Sequence, residues 1–257
     1  MSDSPLPFDP GPEPPVSPEQ PPPEAPAPEP YPFWSYLDLA IFTILAFPSL
    51  LAGYGAIAVL FSILRFHPQN KILELLPAQA LGYLLLFGVL YAIFRHYGRP
   101  FWKSLAWTAP RIPPLWIVSA GMGCAIVVAI AGNLIQTPNT ENPMTELLKG
   151  RLNLTLMAIF GVTIGPLCEE LAFRGFLQPL LVRSFGAVSG ILIAAVPFGL
   201  LHFQEYGYSW RHVLLVSLAG AAFGWMRHAT GSTLAATLMH SSYNALFFSA
   251  FMAKGSQ

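Results

Sequence analysis

From Trp34 onward the chain returns again and again to apolar windows of about 20 residues, the length a helix needs to cross a hydrocarbon core about 30 Å thick. Glycine, proline and charge separate the windows, which fall at 36–64, 74–94, 114–135, 153–181, 187–203, 211–227 and 232–252. Only helices satisfy every backbone group within a lipid-facing segment, and the windows are too long and too evenly apolar for barrel strands. The expected fold is therefore all-α, a polytopic transmembrane bundle of about seven spans, with six to eight as the range. Charge supports this: 10% of the 257 residues are charged, where a soluble domain carries about 25%. Thirteen bases balance thirteen acids. That neutrality excludes a global field suited to nucleic acid and points to the bilayer as partner.

Three regions follow. Residues 1–33 hold fourteen prolines and six acids but no Lys or Arg, which predicts a disordered, partly polyproline tail and not a signal peptide. Residues 34–150 supply N-terminal transmembrane helices without a motif of their own. Residues 151–257 carry the polar groups. The loop Arg95 to Pro114, with Arg95, Arg99, Lys103 and Arg111, is the most basic, which places it and the N-terminus on the cytoplasmic side. Cys124 and Cys168 lie far apart in apolar stretches and read as small core residues. Trp34, Trp210 and Trp225 suit interfacial anchoring; Asp38, Glu205, His212 and His228 fall at span ends, where a solvated interface explains them.

Charges within the spans are costly and persist where they are paired or used. Glu170 and Arg174 are spaced i,i+4 and can neutralise each other on one helix face. Glu169 lies about 100° round the helix from Glu170, so its carboxylate must find a partner on another helix. Run straight from Asn153 to Arg183, that helix would be about 46 Å long; it must tilt, emerge into the interface, or kink at Pro166 or Pro179. The fifth span ends with Phe198 and His202 one turn apart, and the seventh holds His240 and Asn244 at the same spacing. Carboxylate and imidazole can position and deprotonate a water, while a second imidazole and a carboxamide can donate to a developing oxyanion. Structural ion pairing, a partner-binding polar core, or proton carriage by Glu169 would use the same residues; the sequence has no internal repeat of the kind common in carriers.

The order Glu-Glu-x-x-x-Arg (Glu169, Glu170, Arg174), Phe-x-x-x-His (Phe198, His202) and His-x-x-x-Asn (His240, Asn244), each on its own helix, resembles the CPBP family of intramembrane endopeptidases. That family groups CAAX prenyl endopeptidases of the Ras-converting type with bacterial bacteriocin-processing and self-immunity proteins. The stretch from Gly220 to Ser232 resembles the bacterial branch, which implies a bacterial plasma membrane. The resemblance covers about Asn153 to Phe251. It implies that Glu169 activates a water with His202, that His240 and Asn244 stabilise the oxyanion, and that Glu170, Arg174 and Phe198 support the site. The expected substrate is a membrane-associated protein or peptide, and no nucleic acid is involved. Because the family has been classed as metalloproteases, zinc on Glu169, His202 and His240 competes with a metal-free reaction, which is the expectation here; a non-catalytic immunity or scaffold protein of the same fold is the alternative function.

Overall fold

Each apolar window becomes helix, ending where the chain supplies a cap, a glycine or a proline. In a computed structural model, which describes residues 30–138 and 142–254, Ser35 opens α1 (Tyr36–Ile63) with a capping box to Asp38. Helix α2 (Ile72–His96) follows, then the short α3 (Phe101–Ser104) in the basic linker, and α4 (Pro114–Leu134), whose first-turn proline has no N–H to leave unpaired. Asn142 caps α5 (Pro143–Leu147). Next come α6 (Arg151–Val162), α7 (Ile164–Glu170), a π-helical segment (Leu171–Leu177) and α8 (Gln178–Phe185). Helices α9 (Ala187–Leu201), α10 (Trp210–Thr230) and α11 (Thr233–Lys254) complete the bundle, with Gly231 in the left-handed region (φ 68°) turning the chain from α10 to α11.

The expected helical bundle is therefore present. Four stretches, Tyr36–Ile63, Ile72–His96, Pro114–Leu134 and Arg151–Phe185, are long and apolar enough to cross a membrane. The fourth is not one straight helix. Thr163, at φ −120° and ψ −79°, leaves the helical region, three residues ahead of Pro166, whose missing N–H cannot bond the carbonyl of Val162. The π-helical segment then widens the turn around Arg174 and ends next to Pro179, another residue without a donor. Pro166 thus follows the break at Thr163, whereas the chain stays helical across Pro179, and the interruption brings the two glutamates to a bend instead of the middle of a rod.

Close helix contacts depend on small residues, as expected where lipid gives no hydrophobic drive between helices. A Cβ on Gly53 would lie 2.5 Å from Gly82 N, so α1 and α2 touch backbone to backbone; one on Gly121 would lie 2.0 Å from Ser242 Oγ, bringing α4 onto α11. Trp34 departs from the expected interfacial anchor. It is 1% exposed, its ring packs beside Phe94 and Phe176, and its indole N–H donates to Phe176 O at 3.1 Å. A buried indole needs such an acceptor. Trp210 and Trp225 stay exposed. Most of the proline-rich tail, 1–29, lies outside the described residues, but Phe33 packs on the same aromatic cluster, and Tyr31 donates to Ser104 O.

Candidate active site

At the bend Glu170 is fully buried, and its Oε1 accepts from Arg174 Nη1 at 3.0 Å and from His240 Nδ1 at 2.9 Å. The i,i+4 pair expected from spacing is formed, and it recruits a third residue from α11. Arg174 is equally buried: its Nη2 donates to Gly220 O at 2.7 Å, and its guanidinium lies 4.3 Å from the centre of the Phe198 ring, within the range of a cation–π contact. One helical turn on, Gln178 Nε2 repeats the pattern by donating to Gly224 O at 2.9 Å. Both carbonyls are reachable because both residues are glycine. A Cβ on Gly220 would come within 2.8 Å of Phe198 Cδ1, and one on Gly224 within 2.7 Å of Gln178 Oε1. The two glycines therefore let α10 approach the π-helical segment and α8 closely enough for two buried side chains to be satisfied.

A second group of polar side chains lies on the other side of His240. Its Nε2 is 3.9 Å from Glu169 Oε2, so Glu169 does face another helix, as its angular offset from Arg174 requires. With about a quarter of its side chain exposed, Glu169 is the more open of the two adjacent acids. Phe223 stacks on the His240 ring at 4.5 Å, and Phe198 stands edge-on to it at 5.9 Å. Phe198 also lies 5.2 Å from the His202 ring, so one phenyl ring contacts both imidazoles. His202 Nδ1 is 2.8 Å from Phe198 O. A carbonyl only accepts, so Nδ1 carries a proton, and in the neutral ring Nε2 then keeps its lone pair. Asn244 Nδ2 donates to Gly161 O at 2.7 Å, a carbonyl left over where α6 breaks, and one amide hydrogen remains for another acceptor.

Residues 151–246 match the family described as Type II CAAX prenyl endopeptidase Rce1-like. This region is similar to that family, and the match takes in well under half of the chain. CAAX prenyl protease 2 of Caenorhabditis elegans is 29% identical to this chain over 98 residues, covering 33% of the chain and 37% of that protein. No solved structure matches. Within the Rce1-like region the three sequence motifs occupy α7 with the π-helical segment, α9 and α11, the arrangement that the resemblance to the CPBP family implies.

Some residues of the site are not evident from motif spacing. Phe223 gives His240 its stacking face, although nothing in the sequence marks it out from neighbouring apolar residues; the glycines at 220 and 224 are the nearest signal. Glu205 was expected at a solvated span end. It instead sits in the loop between α9 and α10, where burial raises its carboxyl above the usual range, His202 draws it down and Glu169 pushes it up. The neighbouring Tyr206 phenol is pushed up to about 12 by burial, then by Glu205 and Glu169. A second acid therefore lies in the electrostatic neighbourhood of Glu169 and His202. Zinc on Glu169, His202 and His240 would need all three donors about 2.0–2.2 Å from one point. Among the described residues no three His, Cys, Asp or Glu side chains converge in this way.

Proposed function

We propose that this chain is an intramembrane endopeptidase, cutting a peptide bond of a membrane-associated protein or peptide with a water activated by glutamate and histidine. The observation that carries the reading is the division of labour between adjacent carboxylates: Glu170 is locked to Arg174 and His240, while Glu169 stays partly exposed opposite His240 Nε2. Glu169 and the lone pair of His202 Nε2 take a proton from water as its oxygen attacks the scissile carbonyl. His240 is backed by Glu170 at Nδ1, much as a carboxylate backs the imidazole of a catalytic triad, so Nε2 serves the reacting atoms. When protonated there, it and the second amide hydrogen of Asn244 donate to the oxyanion. Collapse breaks the C–N bond, and the proton held on Glu169 passes to the leaving amine. The products are a carboxylate and an amine, and no other reactant is consumed.

The family match supports a substrate of the CAAX class, and the stretch from Gly220 to Ser232 supports a bacterial plasma membrane as the setting. The test of the substrate class is cleavage of a prenylated CAAX peptide and its unprenylated counterpart in proteoliposomes, with products identified by mass. Preference for the prenylated peptide, lost in Glu169→Gln by a factor of about 10²–10⁴, is the expected result. Equal cleavage of both peptides would remove the prenyl requirement. Cleavage by Glu169→Gln at the wild-type rate would remove the role of Glu169, and no cleavage of either peptide by wild type would favour a non-catalytic immunity or scaffold protein.

A further inference from the structure

At the end of the bundle where α8 and α10 finish, a pocket of about 240 Å³ is lined by Tyr31, Arg174, Gln178, Arg183, Arg227 and His228 among others. Arg174 is already neutralised by Glu170, but Arg183 and Arg227 have no carboxylate partner among the described residues. Arg227 is 9% exposed, and its donors go to neutral oxygens: Nε to Thr233 Oγ1 at 3.0 Å and Nη2 to Tyr31 OH at 3.1 Å. Arg183 Nη1 donates to Pro32 O. A buried cation without a counter-charge is costly, and here two guanidinium groups and an imidazole border the same opening.

The same end gathers the basic linker. Ser232 Oγ donates to Thr108 O, Thr233 Oγ1 to Leu105 O at 2.6 Å, and Tyr31 OH to Ser104 O at 3.2 Å. The pocket thus opens beside the segment that carries Arg99, Lys103 and Arg111, the side the positive-inside rule assigns to the cytoplasm. We propose that this pocket binds a phosphate ester, supplied by the headgroup of an anionic phospholipid in that leaflet. Planar guanidinium groups suit phosphate oxygens, and basic pockets between transmembrane helices on the cytoplasmic side are a recurring form of headgroup recognition. The binding does not depend on the peptidase reading.

The test follows the melting of the purified full chain in neutral detergent during titration with phosphatidylglycerol, phosphatidylcholine or inorganic phosphate. A ligand that binds only the folded chain raises the midpoint in a saturable way. Phosphatidylglycerol is expected to do so and phosphatidylcholine not. Arg183→Gln combined with His228→Gln changes two exposed residues and so keeps the fold. It is expected to raise the half-saturating lipid concentration about tenfold, as loss of a charge-assisted hydrogen bond does. Protection by inorganic phosphate at the same concentration as lipid would overturn the lipid as source. Equal protection by the two lipids, or an unchanged half-saturation in the double variant, would overturn the site.

Discussion

Glu170 accepts two hydrogen bonds through a single oxygen while its neighbour Glu169 makes none as short, so the two glutamates should respond differently to replacement. Glu170→Ala strands a wholly buried guanidinium and is expected to cost about 3–5 kcal/mol, read from unfolding in detergent. Glu169→Gln keeps the volume of a partly exposed side chain and should shift stability by no more than about 1 kcal/mol while abolishing cleavage. A comparable loss of stability in both would show that the pair acts as one structural unit. The Glu170–Arg174 contact was legible from i,i+4 spacing, and so was the freedom of Glu169, because both follow from the angle between successive residues on one helix. The bond from His240 to Glu170 was not. It depends on how α11 approaches the bend, and the period of a helix says nothing of its neighbour's direction.

At the scale of elements, α10 meets the π-helical segment and α8 through Gly220 and Gly224. An added methyl at Gly220 meets the ring of Phe198 and the end of Arg174 at once, and the ring cannot yield because Phe198 is itself 2% exposed. Gly220→Ala should therefore cost about 1–3 kcal/mol and lower cleavage with it. Gly88→Ala in α2, with no atom within 4 Å of the new Cβ, should stay within about 0.5 kcal/mol of wild type. Equal effects of the two in an unfolding assay would mean that α10 does not pack as closely as described. The loop after α9 offers a second check. Burial raises the Glu205 carboxyl above its value in the unfolded chain; its contribution is therefore present at low pH and declines as pH rises through the raised value. Glu205→Gln should flatten that part of a stability–pH profile, and an unchanged slope would contradict the burial of the acid. Hydropathy located the helices but not the break at Thr163 or the π-helical turns, since a proline shows where a helix is weakened and not how the chain realigns. It also misplaced Trp34, because an aromatic at a span edge reads the same whether it faces headgroups or a cluster of phenylalanines.

Across the whole molecule, one end collects Arg95, Arg99, Lys103, Arg111, Arg183 and Arg227, while Glu205 lies in the loop beyond the far end of α9. The first four were visible as a basic linker; Arg183 and Arg227 join them only once α8 and α10 are seen to finish beside it. With that end in the cytoplasm, a cysteine at the exposed position Lys103 should react with an impermeant thiol reagent only after the inner face is opened, and one at Lys149 should react from outside. The reverse pattern would invert the orientation. The central claim, that Glu169 and His202 activate a water for peptide hydrolysis, is tested most directly by cleavage of a membrane-presented peptide library. Purified, reconstituted wild type, Glu169→Ala and His202→Ala are compared with and without a zinc chelator. Cleavage by wild type that persists in chelator and falls by about 10² or more in both variants is the predicted result; variants that cut as fast as wild type would contradict it.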